Sequence, residues 1–308
     1  MAKIEIPAAL KADIPQTLLG RIMSATPVVM TVVATMLAGL ASSEMTKAQY
    51  DRSLAAQQQS KAGDQWSFFQ AKRQRSANAR NNLDLLEVLA PPQPLDLAAL
   101  QQTVASSDKL RMLIDNPAGQ NALTLLQKGE LPTTAKNPPL PSEISNALAA
   151  IEALKPDAEI AALLGKVSHQ LITETIITAK EQADAFDDAT KPVNQAIEAL
   201  NDALVQKEAR QSLIAARIRF SAQRYDAEAR LNQVIANLYE LQVRKNNLSA
   251  ERHHGRSQRF FYGMLGAQMA VIIATFAIAA RQRNLLWTLA AAAGVTALLF
   301  AGYVYLYI

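Results

Sequence analysis

No cysteine occurs among the 308 residues of this chain. Its absence excludes disulfides, thiolate metal sites and cysteine nucleophiles. Histidine is nearly as scarce, with only His169, His253 and His254. The last two are adjacent, so on a helix they point to different sides and do not chelate as an i, i+4 pair would. More often such histidines belong to a polar belt than to a metal site. No phosphate-cradling glycine loop, nucleophile elbow or zincin motif is present. No enzyme activity, metal, cofactor or small-molecule substrate is therefore expected. The net charge of +4 is too mild for the dense basic face of a nucleic-acid binder, so no nucleic-acid partner is expected either.

What the chain does contain is three long apolar runs, at 22–41, 260–280 and 285–308. Each is long enough to cross the hydrocarbon core of a bilayer as a helix, which needs about 20 residues. Small residues at 39–41 have cleavage-like spacing, but the first run exceeds a signal-peptide core and reads as an uncleaved anchor. The expected fold is all-α: an integral membrane protein with three transmembrane helices and a long helical hairpin or bundle inserted at 42–259. Residues 1–21 form an amphipathic lead at the membrane surface. The insert divides into long helices at 44–89 and 157–255 around a proline-rich middle at 91–156.

Within that middle, residues 95–114 and 142–154 read as helices, and 116–141, with five prolines, as a loop. Thr190-Lys191-Pro192 fits a helix start, with threonine as cap and proline in the first turn. Apolar residues then recur at Val193, Ile197, Leu200 and Leu204, and later at Leu231, Val234, Leu238 and Leu241. This is heptad-like spacing, suited to an antiparallel hairpin. Alanine and glutamine dilute the seam, so a dimeric zipper is not expected.

The sharpest local feature is Gln65-Trp66-Ser67-Phe68-Phe69-Gln70-Ala71-Lys72-Arg73-Gln74-Arg75. On a helix Trp66, Phe69 and Arg73 share a face, with Gln70 alongside. One reading makes Trp66, Phe68, Phe69, Gln70, Lys72, Arg73 and Arg75 a surface that docks a helix, a headgroup or an acidic partner. The blander one makes the aromatics packing residues of the hairpin and the cations solvated, the commoner outcome for such a stripe. Glu181, Asp184, Asp187 and Asp188 form an acidic patch that would face the cluster if the helices pair.

In the spans, Gly263, Gly266, Ala290 and Gln268 with Gly294 are candidates for helix packing: small residues admit close approach, and an amide is usually an interhelical hydrogen-bond partner. Arg252, Arg256 and Arg259 precede the second run and are candidates for lipid-headgroup contact. Tyr303, Tyr305 and Tyr307 suit an interfacial anchor. Membrane lipids are the partners these features imply. Cations at Lys3, Lys11, Arg21, Arg281 and Arg283 favour an extracytoplasmic insert by the positive-inside rule. Lys47, Arg52, Arg244, Lys245, Arg252, Arg256 and Arg259 count against it, and the balance falls narrowly on the extracytoplasmic side.

The stretch Gln65 to Lys72, about 25 residues after a first span, resembles that of a family of bacterial membrane proteins catalogued as a domain of unknown function. Members carry a similar aromatic-Gln-Ala-Lys stretch and end in two spans after a His-containing helical segment, to which Glu251-Arg252-His253-His254 is similar. The resemblance covers the first 90 and the last 60 or so residues; the middle is longer and richer in proline. It implies a multi-pass protein of the bacterial inner membrane with a helical hairpin, and no activity. The expectation is a scaffold or assembly protein that forms homo-oligomers through its spans and insert. The alternatives are an oligomeric channel or transport accessory, lined by Ser24, Thr31 and Thr35 or by Gln268, and a sensor acting through a partner.

Overall fold

The computed structural model describes residues 18–89, 94, 95, 100, 102, 105, 108–204, 207–279 and 283–307. Among them there is no strand. The first helix, α1, runs Leu18–Leu89. Short helices follow: α2 at Asp108–Ile114, α3 at Pro117–Lys128, α4 at Ser142–Glu152 and α5 at Asp157–Lys166, with a 3-10 turn at Thr133–Ala135. Then come α6 at His169–Ala203, α7 at Lys207–Ala279 and α8 at Arg283–Tyr307. The lead up to residue 17 lies outside the described residues, as do the side chain of Ser24 and residues 280–282. Three helices, α1, α7 and α8, are long and apolar enough to cross a membrane.

The chain forms two compact units, residues 1–54 with 246–308, and residues 55–245. In the first, α1, α7 and α8 pack through small residues. Met30, Ala34, Ala267, Ala270 and Ala297 make one buried cluster. Leu37, Ala41, Phe260 and Val304 make another, and Ala274, Ala277, Trp287 and Ala290 a third.

The second unit has a larger core. Leu123, Leu126, Val193, Ile197, Leu200, Leu204, Leu213 and Phe220 are among its buried members. The proline-rich middle contributes to it, which corrects the expectation of a loop at 116–141. Asn116 caps α3 by accepting from the Gly119 amide at 2.7 Å, Pro117 occupies the first turn, and Gly129 closes the helix at φ 65. The proline there starts a helix, because its missing N–H is one that no helical carbonyl would accept.

The single helix expected over 157–255 is also corrected. It breaks at Val167 and Ser168, where the Ser168 hydroxyl accepts from the Leu171 amide at 3.0 Å. Val167 is fully buried, and Lys245 donates to its carbonyl and, at 3.1 Å, to that of Leu164. A cation thus satisfies the open carbonyls of a helix end. A second break follows Ala203, where Leu204 turns extended and buries its side chain in the core. No helix starts at Thr190. Its hydroxyl bonds back to the Asp187 carbonyl at 3.0 Å, and Pro192 sits inside α6, at the cost of one backbone hydrogen bond.

The alanines read as diluting the seam are in fact the seam. On α1, buried small residues recur every seven positions: Ala34, Ala41 and Ala48 in the first unit, Ala55, Ala62 and Ser76 in the second. On α7 the same period gives Ala215, Ala222, Ala229 and Ala236, then Ala250 and Ser257. A seven-residue repeat keeps one stripe of a helix facing its neighbour. In the first unit the Ser257 hydroxyl donates to the Ala41 carbonyl at 2.7 Å. In the second the Ser76 hydroxyl donates to the Ala222 carbonyl at 3.0 Å. Direct side-chain to backbone bonds of this kind require the small-residue approach that the alanines provide.

Candidate functional site

In the second unit the Trp66 to Arg80 stretch of α1 lies along α7. Trp66 Nε1 donates to Glu240 Oε1 at 2.7 Å, and its ring meets Phe69 edge-on at 5.3 Å between centroids. Lys72 pairs with Glu228. Arg80 pairs with Asp226, and Arg73 lies 3.7 Å from the same carboxylate. Asp226 and Glu228 are largely shielded, whereas Arg73 and Arg80 remain mostly in water. Lys72, Arg75 and Arg224 also surround the Tyr225 ring, at 5.5, 5.9 and 4.7 Å from its centroid. Each such contact is worth about 0.5–1 kcal/mol at an exposed site.

These contacts correct the expected pairing. The acids facing the cluster are Asp226, Glu228 and Glu240, on α7. Asp187 and Asp188 instead pair with Lys191 on their own helix, which the i, i+3 and i, i+4 spacing permits. Trp66, Phe69 and Lys72 are half-buried, while Phe68, Gln70, Arg73 and Arg75 are exposed. The stretch is therefore two-sided: one side joins α1 to α7, and the other faces outward with Phe68.

In the first unit a second cluster sits beside the apolar runs. Glu44 is buried, with Oε2 2.6 Å from His253 Nδ1 and Oε1 2.7 Å from Lys47 Nζ. Burial pushes the Glu44 carboxyl up, but the hydrogen bonds and charges of Lys47 and His253 outweigh it and hold the group below its ordinary value. The carboxylate near His253 and His254 in sequence is Glu251; that Glu44 meets His253 is decided by the antiparallel pairing of α1 and α7. His254 faces another way, towards a groove of about 530 Å³ lined by Ser42, Gln258, Phe261, Tyr262 and Met264 among others. Its Nε2 lies 3.1 Å from Gln258 Nε2, and its Nδ1 is buried without a hydrogen-bond partner among the described residues. Arg252 is exposed; Arg256 and Arg259 are half-buried.

The span glycines lie at tight contacts. A Cβ on Gly266 would meet Ala297 Cβ at 3.3 Å, one on Gly263 would meet Leu37 Cδ1 at 3.4 Å, and one on Gly294 would meet Met30 Sδ at 3.2 Å. Ala290 is fully buried. Gln268 differs from the expectation that it bonds between these spans: it is exposed, in a groove of about 430 Å³ with Thr31, Ala34 and Thr35. Among the described residues no group of three or more histidine, aspartate or glutamate side chains is placed to hold a metal.

No curated protein and no solved structure matches the chain. Residues 20–117 match a family described as a domain of unknown function (DUF4337). The matched stretch contains the Gln65 to Lys72 segment and reaches past Pro91 into α3, beyond the first 90 residues of the resemblance, and it stops short of the last two apolar runs.

Proposed function

We propose that this chain is a non-enzymatic scaffold or assembly protein of the bacterial inner membrane, held by three spans and assembling with further copies of itself. The observation that carries the reading is the make-up of α1 and α7. Each is an unbroken helix of 72 or 73 residues that joins an apolar stretch to a polar one, with the small-residue repeat along both. Such helices offer contact surfaces along their length. Leu85, Val88 and Leu89, near the end of α1, are exposed and supply apolar surface for association.

On this reading the insert is an antiparallel coiled coil on the extracytoplasmic side, and Arg252, Arg256 and Arg259 contact lipid headgroups. The outward side of the Trp66 to Arg75 stretch is a contact between copies. The same reading takes the aromatic-Gln-Ala-Lys stretch and the layout of one leading and two trailing spans as features of the family whose model matches residues 20–117. Light scattering of the detergent-purified protein tests the central point. A mass of several chains is expected, and a monomer at all concentrations would overturn it.

A second reading, an oligomeric channel or transport accessory, is favoured by one observation: Thr31, Thr35 and Gln268 line a single groove. Reconstituted protein would then pass ions or small solutes across liposomes, and the lack of any flux above empty vesicles would remove it.

A further inference from the structure

Gln268 stands about 12 Å from one end and about 18 Å from the other of the run 260–280, at the helical rise of 1.5 Å per residue. It is thus near the middle of the second apolar run. Four threonine hydroxyls of the three apolar runs are satisfied by their own helices. Thr31 donates to the Pro27 carbonyl at 2.7 Å, Thr35 to Thr31 at 2.9 Å, Thr275 to Val271 at 2.8 Å and Thr296 to Ala292 at 2.8 Å. Gln268 is exposed, and its amide has no hydrogen-bond partner among the described residues. In hydrocarbon an unpaired amide of this kind costs several kcal/mol, and a lipid tail offers it neither donor nor acceptor.

We propose that this groove is the interface with a second copy of the chain, closed by the Gln268 amides of the two copies bonding to each other. The inference rests on the membrane-scaffold reading. Its occupant is chosen by geometry and chemistry together. Two copies inserted in the same sense are related by a two-fold axis along the membrane normal, which brings identical residues to the same depth. A carboxamide carries both a donor and an acceptor, so Gln268 is the complement of Gln268. The surroundings suit close approach. Ala34, Thr31 and Thr35 form a low wall on α1, the kind of small-residue surface through which span helices pack. On α7, Leu265, Met269, Ile272 and Phe276 are exposed beside the amide and, at helical spacing, form an apolar flank along one side of it.

The absence of cysteine makes the test direct, since one introduced thiol is the only one in the chain. Ile272→Cys, one helical turn from Gln268, is made in the full-length protein and oxidised in membranes with copper phenanthroline. A disulfide-linked dimer is expected, whereas Leu299→Cys, exposed on α8, gives none. Adding Gln268→Leu to the Ile272→Cys chain lowers the linked fraction about threefold to tenfold, the range that interhelical polar bonds in membranes support. Leucine at an outward position leaves the fold intact, which an unchanged circular-dichroism spectrum verifies. If the wild-type protein scatters light as a monomer, the scaffold reading and this inference both fail. If it is oligomeric but Ile272→Cys does not link, or Gln268→Leu leaves the linked fraction unchanged, only this inference fails, and the groove holds a lipid tail or another segment.

Discussion

His253 Nδ1 lies 2.6 Å from Glu44 Oε2, which ties α7 to α1 at the polar edge of the apolar runs. The carboxylate is buried and held below its ordinary value, so its pairing stabilises the fold above the usual carboxylate titration near 4.5. That contribution is lost as the pH falls below this point through the folded-state value. Thermal unfolding of the detergent-solubilised protein should show wild type more stable than Glu44→Gln at neutral pH. Hydrogen bonds to a charge make the gap about 1.5–3 kcal/mol, and it should close in acid. A gap independent of pH would assign the effect to packing alone.

Trp66 couples the aromatic cluster to Glu240 by one hydrogen bond. Trp66→Phe keeps much of the ring and removes the donor, leaving a partly buried carboxylate short of a partner. A loss of about 1–3 kcal/mol is expected, read as a lower thermal midpoint. Asn78→Ala, at an exposed position of α1 beyond the Trp66 to Arg75 stretch, should leave the midpoint unchanged.

The small-residue repeat sets a size limit. Ala62 and Ala236 are fully buried, so Ala62→Leu or Ala236→Leu overpacks the seam and costs about 1–3 kcal/mol or more. Ala71 is exposed, and Ala71→Leu should fall within about 0.5 kcal/mol of wild type. Denaturant titration of the three variants separates the seam from the surface.

The span glycines should respond unequally. A methyl at Gly294 meets the flexible end of Met30, which can move aside, so Gly294→Ala should be neutral or stabilising through its better helix propensity. At Gly266 it meets Ala297 Cβ, which is fixed to the backbone, so Gly266→Ala should lower the thermal midpoint. Equal shifts for the two would contradict this account.

Much of this architecture could be read from local pattern. Helices form over the apolar runs because length and composition suffice there, and Pro141 and Pro156 precede α4 and α5 as proline at a helix start does. Asn116-Pro117 and Gly129 bound α3 by the same logic, Gly165 stands two residues before the break at Val167, and the alanines at every seventh position mark the seam. The last of these is the faintest signal, because a close-packed seam is built from small residues and not from large apolar ones.

The candidate site was less legible. Trp66, Lys72 and Arg73 stood out as a cluster, but Asp226, Glu228 and Glu240 are some 150 or more positions away, and no local spacing chooses them over Glu181 to Asp188. The same holds for Glu44 and His253.

Composition and period alone thus determined that the chain is helical, that three of its segments suit a bilayer, and that cysteine chemistry is closed to it. These depend only on neighbours within a few turns. Tertiary structure alone decided which acids answer the Trp66 cluster, that Glu44 meets His253, and that Gln268 faces outward. Each depends on the register and rotation of one long helix against another, which are set by the sum of many small contacts along the seam.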